Sequence, residues 1–341
     1  MRLLVCTSYY YYGNTRGIEP QFYYLYKVPQ SLGHIADFFD YLTAARVGVE
    51  QMRRLFLALV RGGRYDAVFI ATHQDEFDQE TLTAAAKSCP IIAWNSDDEW
   101  RWETYSRARA SWYTFMVTNS PRIHAANKAA LPNLIHAQWA CSGFWDGRST
   151  RKDIPFSFVG QVYGARASQL RWLARHAGLR AFGKGTRQFI HSTDSSESLP
   201  KRVRRAAQQM ILKYALPSIA DEVSVMSLDQ VNMLWNRTRV SFTPLDSSKD
   251  NVRQIKGRVF EMGLSGTLML AHRAPYLDMY YEPEKEYIPF ETLEECAEKA
   301  RFYLKNEPAR AKIAAAYGRR TEAEHLWKYR IEHVLDAAGL R

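Results

Sequence analysis

Short apolar runs alternate with helical patterns along the chain, and this alternation is the feature that most constrains its fold. The runs Leu3–Thr7, Ala67–Ala71 and Ile91–Trp94 are almost continuously apolar, which is typical of strands buried on both faces of a parallel sheet. Between the first two, Val49–Val60 carries apolar residues at helical spacing. Repeated β-α units of this kind predict an α/β protein whose parallel sheets are covered by helices.

The alternation restarts after residue 150 and predicts a second domain of the same type. Its strands are expected at Phe156–Gly160, Leu179–Phe182, Val240–Thr243 and Thr267–Leu270. A chain of 341 residues is too long for one compact layer pair. We predict one doubly wound domain over residues 1–150, completed by a C-terminal helix at about 326–341, and another over 151–325. Ligands of such sheets bind beyond the carboxyl ends of the strands, so a cleft between facing domains is the expected site.

The positive charge is confined to one part of the chain. The whole chain has 46 Lys and Arg against 36 Asp and Glu, a net charge of +10. Residues 151–215 hold 13 cationic and 3 acidic residues, so this block accounts for the entire excess. The concentration favours a partner that carries phosphate, although any single arginine here could belong to a solvated helix face.

The sequence favours a cytoplasmic protein without a metal site. No apolar run reaches the roughly 18 residues of a membrane-spanning helix, and the N-terminus does not resemble a signal peptide. The four cysteines lie far apart and form no C-x-x-C pair, which suits a reduced compartment and argues against zinc.

The stretch QIKGRVFEMGLSGTLML, residues 254–270, places charged residues within an otherwise apolar sequence that is typical of a protein core. Glu261 would be costly in a dry core without a hydrogen-bonding partner, and a ribose diol is one such partner. Lys256 and Arg258 could reach phosphate oxygens, and the turn at Ser265 and Gly266 would allow backbone N–H groups to approach an anion. An internal Arg258–Glu261 ion pair on a surface helix is the structural alternative.

This stretch resembles the signature of the CgeB-like, spore-coat type glycosyltransferases, a branch of the GT-B enzymes with two Rossmann-like domains. Three further motifs resemble that family in the same order along the chain. They are Asp97 to Arg101; Phe158 to Gly160 with Tyr163, Gly164 and Arg166; and the tail from Ile313 through Gly318 and His325 to Arg330.

The resemblance implies transfer of a sugar from a nucleotide-diphosphate sugar to an acceptor hydroxyl. The domain over 151–325 would hold the nucleotide and the first domain the acceptor, with the C-terminal helices returning to the first. Glu261 matches the ribose-binding acid of the family. Lys256, Arg258 and Arg166 become pyrophosphate candidates, and Gly160 permits close approach of the donor. The class usually needs no metal, because cations and backbone dipoles stabilise the leaving diphosphate.

One departure from the family pattern concerns the stereochemistry. Many retaining members carry a second glutamate eight residues before the ribose acid, where this chain has Arg253. Inversion is therefore favoured, and it needs a general base in the first domain. Asp98, which follows the strand Ile91–Trp94, is the first candidate, with Asp97 and His73 as the others. For His73 a loop histidine without a catalytic role is the favoured interpretation. Capping of the helix Glu99–Ser106 is the structural alternative for Asp98.

A run of tyrosines follows the first predicted strand. Tyr11, Tyr12, Gly13 and Asn14 are candidates for acceptor binding, because aromatic rings stack on sugars or bases. Packing of two of the four tyrosines, Tyr9–Tyr12, under the sheet edge is equally compatible with the sequence.

A basic insertion at about 190–222 is compatible with more than one kind of acceptor. Its patch of Lys201, Arg202, Arg204 and Arg205 could bind anionic lipid at the inner membrane surface, nucleic acid, or only the donor phosphates. We favour a surface or envelope glycan or a protein as acceptor. A phage-type DNA-modifying transferase acting on a hydroxymethylated base is the alternative, and a non-catalytic nucleotide-sugar-binding protein is the third reading.

Overall fold

The computed structural model describes residues 1–11, 17–145, 151–183, 226–247 and 252–341. These residues form two compact units. The first unit comprises Met1–Phe144, Lys249–Glu261 and Thr321–Arg341, and the second comprises Trp145–Ser248 and Met262–Arg320. Residues 249–261 are thus grouped with the first unit, whereas the sequence led us to place them in the second. The functional assignment of the two domains stays a prediction.

The first unit is built on a six-stranded sheet in which every strand pair is parallel. Its order is β2-β1-β3-β4-β5-β6. The strands are β1 (Arg2–Thr7), β2 (Ile35–Asp40), β3 (Ala67–Ile70), β4 (Ile91–Trp94), β5 (Phe115–Thr118) and β6 (Leu134–His136).

Helices cover both faces of this sheet. They are α1 (Val28–Ser31), α2 (Tyr41–Ala44), α3 (Val49–Gly62), α4 (Gln79–Ala86), α5 (Asp98–Arg101), α6 (Arg107–Arg109) and α7 (Pro121–Asn127), with π-helical turns at Phe22–Lys27 and Trp102–Ser106 and 3₁₀ turns at Ala45–Val47 and Ala110–Trp112. Alternate strand residues point to opposite faces. Leu4 therefore packs with Phe56 of α3, whereas Leu3 packs with the C-terminal helix Trp327–Ala337. The predicted return of the C-terminal helix to the first sheet is confirmed.

The second unit holds a five-stranded parallel sheet of order β11-β10-β9-β7-β8. The strands are β7 (Ile154–Val159), β8 (Arg180–Phe182), β9 (Thr238–Thr243), β10 (Leu268–His272) and β11 (Ile288–Phe290). The helices from residue 151 onward are α8 (Arg166–Ala177), α9 (Leu228–Arg237), α10 (Arg258–Glu261), α11 (Leu293–Lys305), α12 (Glu307–Glu324) and α13 (Trp327–Ala337), with 3₁₀ turns at Gly263–Ser265 and Leu277–Met279. Of these helices, α10 and α13 belong to the first unit. The α/β class with two doubly wound parallel sheets is confirmed.

Each sheet has one point where the strand order reverses. In the first sheet the chain leaves β1 toward β2 on one side and continues with β3 on the other. In the second sheet β8 lies on one side of β7 and β9 on the other. Ligands of open α/β sheets bind outside the carboxyl ends of the strands at such points. The loops after β1 and β3, and those after β7 and β9, are therefore the expected ligand-binding positions of the two sheets.

The helix that carries Arg258 and Glu261 is short. Only Arg258–Glu261 is α-helical, and a 3₁₀ turn follows at Gly263–Ser265. Gly257 and Gly263 stand just outside the helix, and glycine destabilises helix interiors. The sequence nevertheless predicted the bounds of β4, Ile91–Trp94, correctly.

Candidate functional site

Asp98 is a buried residue of the first unit. It begins helix α5 after strand β4, its side chain is fully buried, and its Oδ1 accepts a 2.6 Å hydrogen bond from Ser106 Oγ. Burial raises the pKa of Asp98 to about 6, although hydrogen bonds from Ser106 and Thr118 act in the opposite direction. The predicted capping role is not observed, because Asp97 occupies the N-cap position and neither side chain caps the helix.

Asp97 connects the β4 loop to the charged motif of residues 254–261. Its backbone adopts the left-handed conformation, with φ of 63°. Its Oδ1 accepts a short hydrogen bond from Gln254 Nε2 and lies 3.7 Å from Lys256 Nζ. Two motifs that are about 150 residues apart in the sequence therefore meet within the first unit. The arrangement orients the ammonium group of Lys256 and engages the Asp97 carboxylate.

His73 lies in the loop that follows β3 and faces the end of β1. Its Nε2 is 3.3 Å from Ser8 Oγ and 3.9 Å from Glu19 Oε2. Arg101 donates a 3.0 Å hydrogen bond to the His73 carbonyl oxygen. Burial lowers the pKa of His73, and the nearby cation of Arg101 lowers it further.

Glu261 is buried at the end of helix α10 in the first unit. Its Oε2 accepts a 3.3 Å hydrogen bond from Ser142 Oγ, and Cys141 Sγ lies 3.7 Å from its backbone oxygen. Burial raises the pKa of Glu261 to about 7, against hydrogen bonding from Tyr24 and Ser142. Its Oε1 has no hydrogen-bond partner among the described residues. The alternative of an Arg258–Glu261 ion pair on a surface helix is wrong, because the carboxylate is buried and bonds to Ser142 instead.

The two cations of the motif lie close to Glu261 in the chain. Arg258 is the first residue of α10 and is half-buried, and Lys256 precedes it by two positions. The Glu261 backbone N–H donates to Gly257 O at 3.0 Å, which ties the carboxylate-bearing turn to the segment of the cations. A short helical turn thus carries Glu261 and Arg258, and Lys256 lies just before it, as the sequence indicated.

Arg166 lies at the strand-order reversal of the second sheet, and backbone groups hold it. Its guanidinium donates to Gln161 O at 2.8 Å, Tyr163 Oη at 2.9 Å and Asp246 O at 3.0 Å. Its Cζ also lies 3.9 Å from the centre of the Tyr163 ring. These contacts tie the β7 loop to the β9 loop and support a structural role. Pyrophosphate binding by Arg166 stays a prediction.

Gly160 directly follows strand β7, with φ of 152°. Its carbonyl oxygen would lie 2.3 Å from a Cβ placed on Gly183. The ends of β7 and β8 therefore approach each other closely. The predicted approach of a donor to Gly160 stays a prediction.

The turn at Ser265 and Gly266 lies at the amino end of β10, away from the carboxyl edge of the second sheet. Gly266 has the left-handed φ of 70°. The turn presents carbonyl groups rather than N–H groups to charged neighbours: Lys152 Nζ donates to Ser265 O at 2.5 Å and Arg310 to Gly266 O at 3.1 Å. Burial lowers the pKa of Lys152 to about 7. This position does not support the predicted anion-binding role of the turn.

Of the tyrosine run, Tyr9, Tyr10 and Tyr11 are among the described residues. Tyr9 packs edge-to-face against Tyr10, with ring centres 4.8 Å apart, and against Phe22 at 4.9 Å. The backbone N–H of Tyr11 donates to Gly17 O at 2.9 Å. Tyr12, Gly13 and Asn14 lie outside the described residues. Acceptor binding by this loop stays a prediction.

The basic patch Lys201, Arg202, Arg204 and Arg205 also lies outside the described residues, and lipid, nucleic-acid and donor-phosphate binding stay predictions there. Within the described residues, no helix is long and apolar enough to span a bilayer. Nor do three or more potential metal-ligating side chains come together in that part of the chain.

Several residues of the site carried no recognisable signal in the sequence. Glu19 stands in the loop after the tyrosine run, and Tyr24 lies in an aromatic π-helical turn. Ser142 is separated from Glu261 by 119 positions. The sequence offered one weak signal for Glu19 and Ser142. Both stand beside apolar segments, where a polar side chain can be buried and then needs a hydrogen-bond partner.

The two parallel sheets, each with one reversal of strand order, give the fold of the GT-B glycosyltransferases. Residues 219–336, about a third of the chain, match the family model described as glycosyl transferase-like. None of the curated proteins matches the sequence at a significant level.

Solved structures of similar fold span nearly the whole chain. Anabaena Alr3699/HepE in complex with UDP-glucose is 10% identical with a TM-score of 0.60, and the match covers 98% of each chain. Sucrose-phosphate synthase from Thermosynechococcus elongatus is 12% identical with a TM-score of 0.61, covering 99% of this chain and 98% of that one. A glycosyltransferase from Rickettsia africae ESF-5 is 9% identical with a TM-score of 0.60, covering 98% of each. At these identities the likeness establishes the GT-B fold.

Proposed function

We propose that this protein is a glycosyltransferase that moves a sugar from a nucleotide-diphosphate sugar to an acceptor hydroxyl, without a metal and with inversion. The observation that carries the proposal is Glu261. Its carboxylate is buried, and its Oε1 lacks a hydrogen-bond partner among the described residues. Burying such a group is costly, and a ligand that donates hydrogen bonds would offset the cost. The glycosyl transferase-like match and the GT-B fold support a ribose as that ligand.

The cations beside Glu261 suit the diphosphate part of such a donor. As the bond to the sugar breaks, the leaving diphosphate gains negative charge, and fixed cations stabilise it. Lys256 is oriented by Asp97 at 3.7 Å, and Arg258 lies two residues further along. A metal ion would fill the same electrostatic role, so the presence of two cations supports a metal-independent reaction.

The nucleotide base proposed first is uracil. Alr3699/HepE was solved in complex with UDP and with UDP-glucose, which supports testing uridine diphosphate sugars before others. We propose a surface or envelope glycan or a protein as acceptor. Membership of the CgeB-like branch is part of the proposal and rests on the motifs of residues 254–261 and 97–101.

Nucleotide binding tests this function directly. A thermal-shift panel with UDP, GDP, dTDP and CDP should show stabilisation by one of them, because a ligand that binds only the folded state stabilises it, by about 2.7 kcal/mol at a hundredfold excess over Kd. Glu261→Gln should weaken that nucleotide about 10- to 100-fold, since hydrogen bonds to a charged group contribute about 1.5–3 kcal/mol.

Glu80→Gln is the matched control, because Glu80 is an exposed glutamate in the first turn of α4. It should leave nucleotide binding unchanged. No stabilisation of the wild type by any nucleoside diphosphate, or full binding by Glu261→Gln, would contradict the proposal.

A further inference from the structure

Helix α3 of the first unit presents arginines and an apolar side chain to solvent. Its inner face is fixed by three residues that are buried in the core of the unit, Met52, Phe56 and Val60. An amphipathic helix that packs on a sheet normally turns a polar face outward. The outer face of α3 instead combines Arg54, Leu55 and Arg61, all of which are exposed.

The turn that precedes α3 adds further exposed apolar side chains. Val47 is 72% exposed, which makes it the most exposed large apolar residue in the described part of the chain. Val49, beyond Gly48, is 44% exposed, as is Leu55 in the helix. We call this turn and the outer face of the helix the α3 surface, which comprises Arg46, Val47, Val49, Arg54, Leu55 and Arg61.

The arginines of the α3 surface are not neutralised by acids. Residues 46–64 hold five arginines and one acidic residue, Glu50. Glu50 lies 2.8 Å from the guanidinium of Arg53, which also pairs with Asp78 at 2.7 Å. Across the described ranges, no carboxylate forms an ion pair with the three arginines of the α3 surface. Their positive charge is therefore available to an anionic partner.

Two kinds of macromolecular partner fit this surface poorly. In a symmetric pair of copies the same patch faces itself, so arginines would stand opposite arginines. A nucleic acid would engage the arginines through its phosphates. It would leave the two valines and Leu55 exposed, and the α3 surface has no aromatic ring on which a base could stack.

An anionic lipid bilayer uses both chemical features of the surface. Helices that combine cationic and apolar side chains lie in the plane of the interface, where their apolar groups enter the boundary between headgroups and acyl chains. The long arginine side chains can then extend to the lipid phosphates while their aliphatic parts stay in apolar surroundings. Anionic lipids attract such clusters of basic residues.

We propose that the α3 surface docks the first unit on an anionic lipid bilayer. Val47, Val49 and Leu55 enter the interface, and the arginines contact lipid phosphates. This contact is peripheral and needs no helix that crosses the bilayer. It does not depend on the proposed glycosyl transfer, because none of its residues belongs to the candidate nucleotide site.

Co-sedimentation of the full chain with lipid vesicles tests the docking. The wild type should bind vesicles made of phosphatidylcholine and phosphatidylglycerol in equal parts, and should not bind phosphatidylcholine alone. Binding should weaken in about 1 M NaCl, which screens charges beyond a few ångströms. Arg54→Gln combined with Arg61→Gln should lower the partition coefficient about 10- to 30-fold, because each arginine near an anionic surface adds to the attraction.

The matched control removes two cations from another surface. Lys312 and Arg319 are exposed on α12 in the second unit and stand seven positions apart, as Arg54 and Arg61 do. Lys312→Gln combined with Arg319→Gln should bind the mixed vesicles as the wild type does. All of these substitutions change exposed side chains, so the Tm of each variant should stay at the wild-type value.

The apolar contribution is measured separately. Val47→Ser combined with Leu55→Ser should lower the partition coefficient about 10-fold, because two apolar side chains no longer leave water. All four native cysteines are buried, so Val47→Cys can be labelled selectively with an environment-sensitive fluorophore. Its emission should shift to the blue on mixed vesicles. Met279→Cys, at an exposed position of the second unit, is the control and should show no shift.

The outcomes separate this inference from its alternatives and from the proposed function. It is overturned if the wild type does not bind mixed vesicles, or if the Arg54 and Arg61 substitutions weaken binding no more than their control. Duplex DNA binding that those substitutions abolish, with vesicle binding intact, would assign the surface to nucleic acid. Self-association without lipid that Val47→Ser and Leu55→Ser abolish would assign it to a second copy. Stabilisation by UDP should be equal in all these variants, so its absence bears only on the proposed function.

Discussion

The first unit buries the acids Asp98 and Glu261, whereas the second buries Arg166 and partly buries Lys152, and the two pairs of residues are held by opposite means. In the first unit Asp98 and Glu261 accept hydrogen bonds from hydroxyl groups and form no ion pair among the described residues. In the second unit the guanidinium of Arg166 and the ammonium of Lys152 donate mainly to backbone carbonyl oxygens. Buried charges without an opposite charge are expensive. Each unit therefore keeps charge at a cost to its stability.

The difference predicts opposite responses of the two units to pH. The pKa of Glu261 is raised to about 7 and that of Asp98 to about 6. Since the folded state then binds more protons than the unfolded chain, stability is full below the unfolded pKa and is lost as pH rises to the folded pKa. The pKa of Lys152 is lowered from 10.5 to about 7. The unfolded chain then binds the extra proton, so stability rises between pH 7 and 10.5.

The largest expected effect is on the stability of Glu261→Gln, whose free energy of unfolding should rise although its nucleotide binding weakens. A raise in pKa from 4.5 to about 7 corresponds to about 3 kcal/mol of lost stability above pH 7. Glu261→Gln mimics the protonated acid, so it should stabilise the free protein by up to about 3 kcal/mol at pH 8 and have little effect at pH 4.5. Urea unfolding of the wild type and the variant between pH 4.5 and 8 measures this.

Glu80→Gln controls for the loss of a negative charge. An equal free energy of unfolding for the wild type and Glu261→Gln at pH 8 would mean that the carboxylate is not held at a cost. The claim that the first unit holds its buried acids at a cost to stability would then be wrong.

An effect of intermediate size is expected at Arg166 and tests the second unit. Arg166→Lys keeps the charge but cannot reach Gln161 O, Tyr163 Oη and Asp246 O together. The unfolding free energy should fall by about 2 kcal/mol, because buried acceptors lose their donor, while nucleotide affinity changes little. Arg175→Lys, on an exposed position of the same helix, is the control. A large loss of UDP affinity without a change in stability would instead assign Arg166 to the pyrophosphate.

The smallest expected effect concerns the hydroxyl group that holds Glu261. Ser142→Ala removes the 3.3 Å hydrogen bond to Oε2 and should raise the pKa of Glu261 further, since that bond favours the ionised form. Nucleotide affinity at pH 7 should fall by about 1 kcal/mol, and the pH below which binding weakens should move upward. Calorimetric titration with UDP at pH 6, 7 and 8 checks this, with Ser31→Ala as the control. An unchanged pH dependence would contradict the contact.

Most of the fold could be predicted from the sequence, because its central strands are continuous apolar runs. Strand β2 was missed. It is an edge strand whose first residue, Ile35, is largely exposed and whose last, Asp40, is charged, so its pattern is not that of a buried strand. The extent of α10 was also missed, because flanking glycines rather than the apolar pattern end it.

The candidate site could be predicted only where a motif is local. Lys256, Arg258 and Glu261 stand within six positions, and their grouping is visible in the sequence. The contacts of Glu261 with Ser142, of Asp97 with Gln254 and of His73 with Glu19 join distant segments. Such contacts follow from the strand order of the first sheet, which no local pattern specifies.

The close approach of Gly183 to the carbonyl oxygen of Gly160 has a consequence for how this chain can diverge. A methyl group at position 183 would overlap that oxygen, and the backbone there has φ of 119°, so no other amino acid fits without separating the ends of β7 and β8. In a saturation library selected for folding, position 183 should tolerate almost no replacement. Relatives with another residue at this position must carry a rearranged first loop in the second unit.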